Sequence, residues 1–206
     1  MYRRFVPIAM MLVVAGVVAG CAHKMKTAES GFLDDYSKLE KVDDDFSFYR
    51  ASDYTLKNYP MIIVDPIQFN LDAEVAKDFT EEQRREIREY AQQTVNKILS
   101  PHLKIVTQPG PGVARVRMAF TDIEKSEALL NLYPATRAAG VGRGGAAVEG
   151  EILDSQSGTQ LVAWTRRGKG TLLQGSGVGS LSDIKTVIDH WAADANKRVV
   201  PQLIGG

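Results

Sequence analysis

AAVEGEILDSQSGTQLVAWTRRGKG, Ala146 to Gly170, holds two strand-like runs on either side of a turn-forming centre. In the first run Val148 and Ile152 fall on one face, and Glu149 and Glu151 on the other. A period of two is the mark of a strand with unlike faces. Asp154 to Gly158 supplies the Asp, Ser and Gly that favour a reversal. The stretch therefore predicts a β-hairpin, with strands near 146–154 and 159–168.

Working upstream, VARVRMAFTDIE, Val113 to Glu124, alternates in the same way. Ala114, Val116, Met118 and Phe120 share one face, and Arg115, Arg117 and Thr121 the other. That is the pattern of a sheet with one wet face. If this strand pairs with the hairpin, Arg115, Arg117, Glu149 and Glu151 make a surface charge lattice, worth little where exposed. LKIVTQ, Leu103 to Gln108, reads as another strand before the PGPG turn. MIIVDPI, Met61 to Ile67, is β-branched and apolar beside Pro60 and Pro66, and predicts a buried central strand.

Two long helices complete the pattern. Thr80 and Gln83 have capping-box spacing, Glu81 and Glu82 suit the first turn, and Pro101 marks the end. Ile87, Tyr90, Ala91, Val95, Ile98 and Leu99 form its apolar stripe. The last helix carries Ile184, Val187, Ile188, Trp191, Ala192, Ala195 and Val199 on one side, with Ser180 and Asp183 as its capping box. SGFLDDYSKL, Ser30 to Leu39, has helical spacing at Phe32, Leu33, Tyr36 and Leu39, and predicts a short amphipathic turn or helix. Asp43, Asp44 and Asp45 read as a solvated acidic turn, because a calcium loop needs alternating ligands and a Gly. Between Lys125 and Gly145 a short helix at Glu127 to Tyr133 precedes a glycine-rich loop. The order implies one α+β domain over residues 31–206: a mixed, mostly antiparallel sheet with two long helices packed on one face. Its open face, with arginines and other polar side chains, is expected to meet water or a partner.

The first 20 residues have a different character. Arg3 and Arg4 precede FVPIAMMLVVAGVVAG, residues 5 to 20, which carries no charge. A spanning helix needs about 20 apolar residues, so the run is short for an anchor and suits a secretory signal. Val18-Ala19-Gly20-Cys21 resembles the lipobox of bacterial lipoproteins, in which Val18, Ala19 and Gly20 address the signal peptidase. The resemblance implies that Cys21 carries a diacylglyceryl group and an N-acyl chain, a membrane anchor. Ala22, standing where Asp would favour inner-membrane retention, implies the outer membrane. Residues 21–30 then form a lipidated tether.

Cys21 is the only cysteine, so the domain has no disulfide and must rest on its core. The 25 basic and 25 acidic residues balance, and loss of Arg3 and Arg4 leaves the rest slightly acidic. That argues against nucleic acid as a partner.

Catalytic patterns are weak. Gly175, Ser176, Gly177, Gly179 and Ser180 make a glycine-rich loop before a helix, a candidate site for an anion or small ligand beside Arg166, Arg167 and Lys169. It lacks the Lys of a phosphate loop, the preceding strand of a dinucleotide fingerprint and the outer glycines of a nucleophile elbow. His23, His102 and His190 have no zinc spacing. His190, beside Asp189 and Trp191, is the best candidate base for a hydrolase, which nothing else supports. No cofactor is expected apart from the lipid on Cys21.

Several of these stretches together carry a wider likeness: SGFLDDYSKL after a lipobox, YPMIIVDP from Tyr59 to Pro66, VEGEILDSQSGTQL and WAADANKRV. They resemble a family of Gram-negative lipoproteins known as domain of unknown function 3313, over about Ser30 to Val200. The order of elements is also similar to lipoproteins with a TolB-amino-terminal-like fold. The resemblance implies one outer-membrane-anchored domain facing the periplasm, with no catalytic residues to carry over. The expectation is a non-enzymatic interaction or envelope-assembly accessory module with a protein partner, and the alternative is a small-ligand or anion-binding lipoprotein.

Overall fold

In a computed structural model of the chain, the described residues are 29–52, 54–55, 57–125, 144–169 and 181–201. The expected hairpin is present as β7 (Gly145–Asp154) and β8 (Gln160–Lys169). Asp154 organises the turn. Its Oδ1 accepts from the amides of Gln156 and Ser157, and Gly158 takes φ 72°. β6 (Val113–Glu124) pairs antiparallel with β7 and sets Arg117 opposite Glu151. A bulge between Phe120 and Asp122 resets the alternation, so that Phe120 and Ile123 both enter the core.

β3 (Met61–Val64) lies parallel to β6. A parallel pair needs a crossover. α1 (Ala73–Lys77) and α2 (Glu81–Leu99) provide it, after a two-residue strand β4 (Gln68–Phe69). The α2 capping box forms as expected: Thr80 Oγ1 accepts from Gln83 N at 3.2 Å, and Gln83 Oε1 accepts from Thr80 N at 3.0 Å. The strand expected at 103–108 shortens to β5 (Lys104–Ile105), parallel to β3 at the sheet edge.

Two local expectations are corrected, and a third, the solvated acidic turn, is present inside a hairpin. Ser30 to Leu39 forms no helix; turns held by side-chain bonds replace it. The acidic segment is a hairpin, β1 (Glu40–Asp43) and β2 (Phe46–Arg50), with Asp44 and Asp45 in its turn. The last helix, α3 (Ser182–Asp194), starts from Leu181 without a side-chain cap. Asp183 then stands second in the helix, one place too early for a capping box, and Ser180 lies outside the described residues. So does the helix expected at 127–133.

The sheet runs β1-β2-β8-β7-β6-β3-β5, with β4 beside β6, eight strands among the described residues. It is mixed and mostly antiparallel, with α2 and α3 on one face. α3 continues as a π-helical turn, Ala195–Val199.

Two glycines let large rings lie against that face. A Cβ on Gly150 would overlap the ring of Trp164, its cross-strand partner. A Cβ on Gly168 would come within 2.6 Å of Val187 Cγ1 and 3.0 Å of Trp191 Nε1. Gly150→Ala is therefore expected to lower stability by about 1–3 kcal/mol, read as a lower urea midpoint at unchanged slope. Tyr54 tests the opposite sign. It is fully buried and its hydroxyl has no hydrogen-bond partner. Tyr54→Phe should leave stability at pH 7 unchanged or raise it.

Candidate functional site

The helix face of the sheet does not pack shut. α2 and α3 meet over Ile87, Ile184 and Ile188. Between them and the sheet, a cavity of about 190 Å³ remains. Its floor comes from β2, β6, β7 and β8, including Phe48, Met118, Ile152 and Trp164; its roof is Val95 and Ile98 of α2 with Trp191 and Ala192 of α3. The π-helical turn adds Ala195 and Val199. Such a turn is wider than the α-helix it interrupts.

Polar atoms are few on this lining. Thr94 Oγ1 already donates to Tyr90 O at 2.9 Å. Arg166 pairs through Nη1 with Asp194 Oδ2 at 2.6 Å and stacks 4.7 Å from the Phe46 ring centre. Asp194 also holds Arg198 at 2.7 Å. The Nε of Arg166 is buried and has no hydrogen-bond partner.

The middle of the opposite face is covered by the chain's own N-terminal segment. Glu149 is 3% exposed and Glu151 0%, so the expected surface lattice is instead a buried set of bonds. Glu149 accepts from the Ser30 amide at 3.1 Å, from Ser30 Oγ at 2.8 Å and from the Tyr36 hydroxyl. Glu151 accepts from Arg117 Nε at 2.5 Å, Gln160 Nε2 at 2.8 Å and the Asp34 amide at 3.1 Å. Arg117 reaches on to Phe32 O and Asp34 Oδ1. Arg115 leaves the group and pairs with Asp65 at 2.9 Å.

The strap itself is built around one oxygen. The Tyr36 hydroxyl accepts from the amides of Gly31, Phe32 and Leu33. Gly31, at φ 81°, takes the left-handed conformation that this wrap requires. Burial, and then the hydrogen bond to Glu149, push the Tyr36 hydroxyl above its ordinary range. Ser30 and Tyr36 were invisible as partners of Glu149 in the sequence. The available signal was two glutamates, two apart, on a strand whose other face is apolar.

The remaining candidates fall as follows. Val18, Ala19, Gly20 and Cys21 lie outside the described residues, and so do Gly175, Ser176, Gly177, Gly179 and Ser180. Arg166 and Arg167 each carry a carboxylate partner, Asp194 and Asp45 respectively, while Lys169 is exposed at the end of β8. His102 and His190 are exposed. Among the described residues no three His, Cys, Asp or Glu gather as a metal set, and no helix is long and apolar enough to cross a membrane.

Removing Glu151 leaves the Asp34 amide without its carboxylate and takes one partner each from Arg117, which keeps Asp34 Oδ1 and Phe32 O, and Gln160, which keeps Asp35 O. Loss of one partner of a buried pair costs about 3–5 kcal/mol, and the partial exposure of Arg117 places Glu151→Ala at the lower end. Chemical denaturation measures it. A pH series tests Tyr36. Its neutral form is the one stabilised in the fold, so its contribution is complete below pH 10, the ordinary value, and is lost as pH rises through the raised folded value. Tyr36→Phe should remove that part of the alkaline loss.

Among curated proteins, none matches the sequence. The solved structures to which it is similar include a PelC dodecamer from Paraburkholderia phytofirmans, at 14% identity, TM-score 0.43, over 75% of this chain and 96% of that one. Another is protein XCC0632 from Xanthomonas campestris, of family-model DUF330, at 9% identity, TM-score 0.41, over 75% and 89%. A third is the hypothetical protein CT253 from Chlamydia trachomatis, at 12% identity, TM-score 0.44, over 71% and 98%. A family model described as protein of unknown function DUF3313 matches residues 28–195, and the chain belongs to that family.

Proposed function

We propose that this chain is an outer-membrane-anchored lipoprotein whose domain faces the periplasm and works by binding, as an interaction or envelope-assembly accessory module. The observation that carries it is the strap. The chain downstream of Cys21 is fastened to the sheet from Ser30 onward, by bonds to buried Glu149 and Glu151. A lipid on Cys21 would thus be joined to a rigid domain through a tether of fewer than ten residues. Residues 30–36 cover the middle of the polar face, and among the described residues the exposed positions around it and on the helix backs are what a partner could meet. The signal segment and the Val18 to Cys21 lipobox support the anchor. Cys21 would supply the thiol that takes the diacylglyceryl group, and Val18, Ala19 and Gly20 the small residues the peptidase accepts.

Envelope fractionation of wild type beside Cys21→Ala, with mass spectrometry of the N-terminal peptide and in-cell crosslinking, tests this. The expected result is a lipid-modified Cys21 in the outer membrane, a defined crosslinked neighbour, and loss of both modification and outer-membrane sorting in Cys21→Ala. An unmodified wild-type Cys21 would remove the anchor, and a lipidated protein with no crosslinked neighbour would remove the interaction role.

A further inference from the structure

We propose that the cavity between α2, α3 and the sheet binds one free aliphatic chain of about eight carbons, with an oxygen acceptor at its head beside Arg166. The inference does not depend on the anchor, because every residue in it belongs to the folded domain.

Size comes first. An apolar cavity of about 150 Å³ stays dry and takes benzene, six carbons; scaled to the 190 Å³ here, the capacity is about eight. Shape comes next. The lining follows α2 from Ala91 to Leu99, about 12 Å at 1.5 Å per residue. That length accommodates one extended chain of about eight carbons.

Chemistry separates the occupant from water. A buried water needs two to four polar partners. Thr94 has used its hydroxyl proton on Tyr90 O, and the rest of the lining is apolar apart from Arg166 and the indole N–H groups of Trp164 and Trp191. The hollow is partly open to the surface, which gives a ligand a way in. Arg166 distinguishes the two ends of the ligand. Its charge is already met by Asp194, yet its Nε–H is buried without an acceptor. The Nε has no surface of its own open to the cavity, so a ligand carboxylate or carbonyl oxygen completes it only when the guanidinium shifts on Phe46; such a bond is stronger for involving a charged donor.

Both tryptophans of the chain, Trp164 and Trp191, line this cavity, so intrinsic fluorescence reports its contents. The test uses full-length protein in detergent-free phosphatidylcholine nanodiscs, titrated with 8-bromooctanoate, whose bromine quenches tryptophan on contact. Expected are saturable quenching at micromolar concentrations and its reversal by unbrominated octanoate. Val95→Phe, which fills the cavity from α2, should weaken binding at least ten-fold. Ala192→Leu fills it from α3 and decides the matter if the first variant misfolds by circular dichroism. Arg166→Lys keeps a cation for Asp194 but loses the Nε donor, and should weaken octanoate at least three-fold. Quenching that fails to saturate, or that survives in the folded filling variants, would overturn the site. Unchanged octanoate affinity in Arg166→Lys would overturn the assigned head group.

Discussion

The carboxylate of Glu151 is the constraint from which much of this structure follows. It sits fully buried in the middle of a sheet, where an unpaired charge would be costly. Its position on β7 brings Arg117 opposite on β6, and Gln160 comes from β8, so three adjacent strands are tied at one point. The last lone pairs are met from outside the sheet, by the amide of Asp34. A sheet with Glu at 149 and 151 cannot leave that face bare, and the strap from Ser30 to Tyr36 is how the chain satisfies it. Breaking one bond therefore loosens both sheet and strap.

The same strand governs the other face by simple alternation. Between the two glutamates stands Gly150, and its missing side chain is the space in which Trp164 lies. Gly168 does the same for Trp191 and Val187 of α3. Seating the rings against glycines brings them close to the sheet, on the lining of the space. The helices then rest on Ile87, Ile184 and their neighbours at one end, and the π-helical turn broadens the other. The apolar hollow is thus a product of where bulk is absent on β7 and β8.

What could be read from the sequence was whatever is local. The β7–β8 hairpin and the Thr80–Gln83 box each depend on residues within a few positions, and both are present. So are the alternation of β6 and the α+β layering. The strap was missed because Phe32, Leu33 and Tyr36 mimic helical spacing, while the bonds that decide the conformation run to Glu149 and Glu151, more than a hundred residues away. The β1–β2 hairpin was hidden by Asp43 to Asp45, which fall at its turn. The Ser180–Asp183 box has the right letters, but the helix begins one residue later than the box requires. The hollow between helices and sheet had no local sign, since it depends on how far the two layers stand apart.

The two margins of the sheet carry a consequence for how copies or partners can meet it. At one margin β1 offers Glu40, Lys41 and Asp43, all exposed, with a break in register between Lys41 and Asp43. At the other, β5 is two residues long, between Pro101 and Pro109. An incoming strand would find a charged, irregular ribbon on one side and barely one rung of ladder on the other. Strand addition is thus disfavoured at both margins of the described sheet, so contacts with a neighbour fall to side chains and faces, where they can be selective, and not to the backbone, where they cannot.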